Sequence, residues 1–253
     1  IYHQYYEEPR YRPNPLTRQM LSAGIVGRKV GRGFYRYDNG QRVAVPEAAA
    51  PTGLPSAVWL APGMPEAIVD LVGRAGVPID GAARPGAASL CVVAPVGDDA
   101  TTVALQLDLD PARTVGVETL FDTSRRRVVM TTPATTPAAR DAAHALFAAD
   151  GKPVTVIRDS AGLVAQRVVA TIVNIAADIA QQRIASPADI DRAVSLGLNY
   201  PFPPLAWGDR IGPRTVLTIL ERMFAFYGDA RYRPSPWLKR RALLGLSLLT
   251  EES

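Results

Sequence analysis

The segment RYRPNPLTRQML at residues 10–21 recurs in altered form as RYRPSPWLKRRA at 231–242. Arg10, Tyr11, Arg12, Pro13 and Pro15 correspond to Arg231, Tyr232, Arg233, Pro234 and Pro236, 221 positions further on. Self-similarity at a fixed offset indicates one structural unit used twice. The later segment closes a run of helical patterns, so the earlier one reads as the close of another such run. The chain is therefore expected to be the second half of a duplicated protein, entered inside its first copy. Ile1, rather than methionine, stands first, in keeping with that expectation.

Between the repeats the pattern changes twice. Residues 1–42 read as a domain tail, with helical spacing over Leu16–Ala23 and glycines punctuating a basic turn, GIVGRKVGRGFYRY. Residues 43–56, rich in Pro and Ala, have linker composition. Residues 57–158 alternate strand and helix signals, the mark of an α/β layer. Strands are expected at 57–61, 77–80, 89–95, 114–120, 126–132 and 152–159, and helices at 65–76, near 99–107 and at 135–151. In the last of these helices Thr136 caps and Pro137 takes the first position. Residues 159–253 read as helices only, the first starting at Asp159 or Ser160. Ser186-Pro-Ala-Asp189 opens the next with a capping-box pattern, and 213–228 and 236–245 follow.

Composition removes several classes of function. Of 253 residues, 47% are hydrophobic and 21% charged, enough apolar material for a packed core. A net charge of +4 does not argue for nucleic acid, though a phosphate-bearing ligand or an anionic partner is compatible with it. One cysteine, Cys91, and two histidines, His3 and His144, leave no disulfide and no metal-ligand set. Cys91 lies in SLCVV and reads as a buried thiol. No apolar run reaches membrane-spanning length, because 163–180 is broken by Gln166, Arg167, Asn174 and Asp178. The start lacks the basic and apolar regions of a signal peptide. No membrane association is expected, and cytoplasm is the default location.

Three stretches, DSAGLVAQRVVATIVNIAADIA (159–180), ASPADIDRAVSLGLNYPFPPLAWGDRIG (185–212) and YGDARYRPSPWLKRRALL (227–244), resemble the C-terminal helical domain of the 3-hydroxyacyl-CoA dehydrogenases. LSAGIVGRKVGRGFYRY (21–37) resembles the end of such a domain. The whole arrangement is similar to the C-terminal half of the duplicated dehydrogenases of the 3-hydroxyadipyl-CoA/3-hydroxybutyryl-CoA type in phenylacetate degradation. The fold class implied is α/β plus all-α: a degenerate Rossmann-like domain at 57–158, then the family's helical domain at 159–253. The resemblance also implies that the intact protein oxidises the 3-hydroxyl of an acyl-CoA with NAD. A His paired with a Glu would take the hydroxyl proton. Its partners would be the acyl-CoA substrate, the missing N-terminal half of the same polypeptide and a second copy in a homodimer.

The machinery itself is not expected on this stretch. A dinucleotide needs G-x-G-x-x-G between a strand and its helix. The chain offers PGMPEAI there, with Gly63 alone between prolines. Asp80 stands roughly where a ribose-binding acid would sit, although an Asp at a strand end commonly just starts a turn. Set against the family's GxHFFNP segment, Glu118 occupies the catalytic His position. The partner Glu falls on Met130, the family's Ser near Gly97, and its Asn on Gln166. Catalytic, cofactor-binding and metal residues are accordingly expected to be none, and NAD is expected only for the intact enzyme.

Taken alone, Glu118 reads as a general base, as half of a pair with Asp122, or as a strand-end carboxylate near Arg125–Arg127. The arginine run reads as a CoA-phosphate contact or as a solvated turn. His144 reads as a surface residue. Arg12, Arg233 and Lys239–Arg241 read as cations at helix ends, and Trp59, Trp207 and Trp237 as core anchors. Pro203 stands where the family carries a glycine. Three functions follow: half of an NAD-dependent dehydrogenase with catalysis elsewhere, a docking and dimerisation module, or a non-catalytic acyl-CoA-binding module.

Overall fold

The computed structural model describes residues 2–47 and 49–252. Ile1, Ala48 at the centre of the expected linker, and Ser253 lie outside the described residues. The chain forms two units, 1–49 and 50–253.

The first unit carries one α-helix, α1 (Pro15–Ser22), and a hairpin of β1 (Tyr37–Asp38) and β2 (Gln41–Arg42). Pro15 takes the first helical position and Asn14 Oδ1 accepts from Leu16 N at 2.9 Å. Asn39 and Gly40, both at positive φ, make the two-residue turn that matches strand twist. The loop between folds on itself so closely that a Cβ on Gly33 would stand 2.8 Å from Gly27 Cα.

The second unit begins with a five-stranded sheet in the order β3 (Ala57–Leu60), β4 (Ser89–Val93), β5 (Thr114–Val117), β6 (Arg127–Thr131) and β7 (Val154–Arg158). The first three strands are parallel. β6 runs antiparallel to β5, and β7 parallel to β6. Every residue of β4 and β5 is buried, which is why both read as unbroken apolar runs. Three helices flank the sheet: α2 (Glu66–Arg74), α3 (Ala100–Gln106) and α4 (Pro137–Phe147). Thr136 caps α4 through the Ala139 N–H. The expected strand at 77–80 shrinks to a single bridge, Val58 to Ile79. Pro78 has no N–H to give, so only its carbonyl and the Asp80 N–H join β3.

The helical half comprises α5 (Val164–Gln181), α6 (Pro187–Leu198), α7 (Pro204–Ile211), α8 (Pro213–Tyr227) and α9 (Pro236–Leu244). Helix α5 starts later than Asp159 or Ser160. Gly162 sits at φ 70°, outside helical space. The Asp159 carboxylate turns instead to α3, accepting from the Ala100 and Thr101 N–H groups and the Thr101 hydroxyl. Helix α7 had no counterpart among the expected elements. It is held at its start by Asp191 of α6, which accepts from Leu205 N at 2.7 Å and Ala206 N at 2.9 Å.

A seam of small residues on α5 (Ala170, Ala176, Ala177 and Ala180, with Val173) packs against α8 and α9 through Ile219, Leu220, Met223, Trp237 and Leu238. Arg241 stands in the last turn of α9, as expected, but is buried there rather than solvated. It is 3% exposed, stacked on Trp237 and bonded to the Thr250 carbonyl. None of the described helices is long and apolar enough to cross a membrane.

Candidate functional site

In an open α/β sheet, ligands meet the carboxyl ends of the strands where strand order reverses. Here that point lies beside β3, since the chain passes from β3 to Ile79 on one side and returns to β4 on the other. The loop after β3, Ala61–Pro65, is poorly made for a pyrophosphate. Pro62 and Pro65 lack N–H groups, Pro65 gives no side-chain cap, and Glu66 puts a carboxylate in the first turn of α2. A negative side chain there takes the place that the helix N-terminus would give to phosphate. Asp80 is likewise engaged. It accepts from Ser89 Oγ at 2.6 Å, Gly86 N at 2.7 Å and Ala82 N at 3.1 Å. The Ser89 hydroxyl foremost, then these N–H groups, hold its carboxyl below the usual range. It ties down the 81–88 loop, the turn-forming role set beside the ribose role in the sequence. The residues present do not fit a dinucleotide.

Further along the sheet, three of the four positions singled out in the sequence, Glu118, Gln166 and Gly97, converge. Glu118 follows β5 directly and is 5% exposed. Its Oε1 accepts from Leu120 N at 2.9 Å, Thr119 N at 3.0 Å and Gln166 Nε2 at 3.3 Å. Its Oε2 is buried with no partner. Gln166, in the first turn of α5, is fully buried. Its amide also donates to the Pro95 carbonyl at 2.9 Å, and its oxygen accepts from Gly97 N at 2.9 Å. Glu118, Gln166 and Gly97 therefore form one hydrogen-bonded cluster joining the β4 loop, the end of β5 and α5.

Met130 faces Gly116 across β5 and β6 and packs with Ala100 and Leu163. A thioether there offers no charge to orient a base. His144 lies on α4. Asp122 is not paired with Glu118, since it bonds Ser124. Nor does the arginine run meet Glu118: Arg127 forms a two-point pair with Asp150, and Arg126 donates to Thr155.

Burial pushes the Glu118 carboxyl up against the pull of its three hydrogen bonds. The cluster is closed from above. Gly97 sits at φ 77°, and a Cβ there would stand 2.7 Å from Ile219 Cα of α8. Arg222, one turn further along α8, donates to the Val96 carbonyl at 2.9 Å and pairs with Asp98 at 2.7 Å. Any side chain at position 97 would meet the α8 backbone. The arrangement is a hydrogen-bonded joint between the sheet and the helical half, and it holds the Glu118 carboxylate in the interior. Gln166 cannot exchange a proton in place of an acid or base. Sequence reasoning identified these four positions only as substitutions; that three of them bond one another carried no signal in the sequence. Among the described residues no three His, Cys, Asp or Glu side chains are grouped to hold a metal.

A family model described as "3-hydroxyacyl-CoA dehydrogenase, C-terminal domain" matches residues 1–37 and 162–248. The chain is 32% identical over 246 residues to 3-hydroxyadipyl-CoA dehydrogenase of Escherichia coli (strain K12), covering 96% of this chain and 46% of that protein. It is 37% identical over 95 residues to a probable 3-hydroxybutyryl-CoA dehydrogenase of Bacillus subtilis (strain 168), covering 38% of this chain and 33% of that protein. The crystal structure of 3-hydroxybutyryl-CoA dehydrogenase from Escherichia coli K12 aligns with a TM-score of 0.70 at 26% identity, covering 96% of this chain and 47% of that one. The chain spans less than half the length of each of these relatives.

Proposed function

We propose that the chain, of which residues 1–37 and 162–248 match the model for the C-terminal domain of the 3-hydroxyacyl-CoA dehydrogenases, is the non-catalytic half of such an enzyme. In this reading the intact polypeptide is NAD-dependent and oxidises the 3-hydroxyl of an acyl-CoA. Its acyl group is of the 3-hydroxyadipyl or 3-hydroxybutyryl class named for its relatives. Residues 1–42 are the close of a first helical domain, and 57–158 a dinucleotide-binding fold that has lost its ligand. The observation that carries the proposal is the buried Glu118–Gln166–Gly97 joint at the position aligned with the family's catalytic His, with Met130 where its partner Glu would fall. Support also comes from the prolines and Glu66 at the start of α2. The match of one domain model to both 1–37 and 162–248 favours duplication.

A docking and dimerisation role is compatible with this and has its own observation. Helix α5 bears a second apolar stripe opposite the core. Val164, Val168 and Ile175 are 57%, 52% and 36% exposed, and Ile172 and Ile179 line a groove with Leu198 of α6. A long uncharged stripe on an otherwise packed helix is suited to a second copy.

The test is NADH oxidation with acetoacetyl-CoA by the 253-residue chain, beside a longer polypeptide that contains it. Turnover by the longer protein alone is the expected result. Turnover by this chain, abolished by Glu118→Ala, would overturn the proposal and make Glu118 a base.

A further inference from the structure

One segment of the first unit, the glycine-rich turn GIVGRKVGRGFYRY at 24–37, is more basic than the rest of the chain. Residues 1–49 hold eight of the 28 Lys and Arg but four of the 24 Asp and Glu, so this unit accounts for the whole net charge of +4. Arg28, Lys29, Arg32, Arg36 and Arg42 fall within 15 residues, with Asp38 the one acid between them. All five are exposed, and among the described residues none pairs with a carboxylate, Asp38 included.

The backbone fixes where these charges stand. Gly27 N donates to the Arg32 carbonyl at 2.7 Å, Arg32 N back to that of Gly27 at 3.2 Å, and Tyr37 N to that of Gly31 at 2.9 Å. Gly27 and Gly31 hold φ at 110° and 71°, where a side chain would be strained. Within this frame Arg32 stands directly opposite Arg36 in an antiparallel bridge. Residues so paired carry their side chains on one face, about 5 Å apart at Cβ, and like charges there repel. The remaining arginines are placed otherwise. Arg42, opposite Tyr37 across β1 and β2, lies 3.8 Å over the Tyr35 ring, and Arg28 lies 5.7 Å over the Tyr37 ring. Those two cations are engaged by aromatic faces. Arg32 and Arg36 have no such cover, and Phe34, midway between them in the chain, is 73% exposed. Neither the clustering nor the opposition of Arg32 to Arg36 depends on anything outside residues 24–43.

We propose that the Arg32–Arg36 pair, with Phe34 at the tip of its turn, is a binding site for the phosphate-bearing adenosine end of an acyl-CoA. Two guanidinium forks side by side suit a phosphate monoester, whose oxygens take two-point hydrogen bonds and whose charge cancels the repulsion between the forks. The exposed ring offers a face to the purine beside that phosphate. CoA carries both groups, a ribose 3′-phosphate next to adenine, whereas NADH has the adenine and a diphosphate but no monoester. A nucleic acid would ask for a basic stripe meeting several phosphates in succession, and the second unit adds no net charge. The choice of an acyl-CoA rests on the activity proposed above for the intact enzyme.

The test is calorimetric titration of the full 253-residue chain with CoA, dephospho-CoA, NADH and a single-stranded oligonucleotide, at about 50 mM salt so that exposed charges are little screened. CoA should bind, and dephospho-CoA, which lacks only the 3′-phosphate, should bind roughly tenfold more weakly. NADH and the oligonucleotide should bind no more tightly than dephospho-CoA. Arg32→Gln combined with Arg36→Gln should weaken CoA by roughly tenfold and remove its advantage over dephospho-CoA. That variant should unfold at no lower temperature than the parent, because the substitutions relieve a repulsion. Arg74→Gln combined with Arg192→Gln takes the same charge from the second unit and should change neither affinity. No binding of CoA, equal affinity for CoA and dephospho-CoA, an equal loss in the Arg74 and Arg192 variant, or tighter binding of the oligonucleotide would overturn the proposal. Binding needs no turnover. Activity of the longer polypeptide without CoA discrimination here would remove this site and leave the proposed enzyme standing.

Discussion

Gln166 satisfies three partners from two segments, the Pro95 carbonyl and Gly97 N–H of the loop after β4 and the Glu118 carboxylate at the end of β5. Removing it leaves all three buried without their bond, and each orphaned polar group costs on the order of 1–3 kcal/mol. Gln166→Ala should therefore destabilise the chain by roughly 3–5 kcal/mol in urea unfolding. A loss under about 1 kcal/mol would mean that the joint is wet or loose. Glu118 behaves differently because burial raises its folded pKa. The folded state then keeps the proton after the unfolded chain has released it. Stability falls as pH rises from the ordinary value of 4.5 towards the folded pKa, and the penalty is constant above it. Glu118→Gln removes that slope. The variant should match the parent near pH 4 and exceed it near pH 7.5; an equal pH slope in the two proteins would show Glu118 to be solvated.

At the scale of elements, α3 depends on a residue from the far end of the sheet. Asp159, just after β7, and Asp99 at the cap position together accept the first N–H groups of α3. Loss of an N-cap side chain costs about 0.5–2 kcal/mol. Asp159→Ala should lower stability by about 1–2 kcal/mol and speed amide exchange across Ala100–Val103 ahead of the rest of the sheet. Uniform exchange would place the cap's energy elsewhere. The cap also shows why periodicity mislaid the start of α5. Asp159 before an apolar run is the usual sign of a helix start, and the sign was correct for a helix 59 residues earlier in the chain. Likewise α7 went unseen because PFPPLAWGDRIG is too short and too proline-rich to show a period. Its stability comes from Asp191 and from close packing at Gly208, where a Cβ would stand 2.5 Å from Leu248 Cδ1.

At the scale of the molecule, the small face of α5 is used up by the core and its β-branched face is not. If the outer stripe meets a second copy, Val168→Glu should shift the chain towards monomer in sedimentation while leaving its urea midpoint nearly unchanged, since the position is half exposed. A loss of midpoint without a change in mass would assign the stripe to folding instead.

Local signals were enough for the strands of the sheet and for the helix starts at Pro137 and Pro187, because each depends on residues within a few positions of one another. The repeated RYRP motif was legible as a repeat of residues, and its backbone hydrogen bonds came only from the structure. Residue type by itself also sets what Glu118 and Gln166 can do, since a carboxyl can hold or release a proton and an amide cannot. Only the tertiary structure decided that those two side chains bond each other and that α8 packs over Gly97 beside them. Those outcomes depend on groups 48 to 126 residues apart meeting at hydrogen-bond distance, and no periodicity within a window records such a meeting.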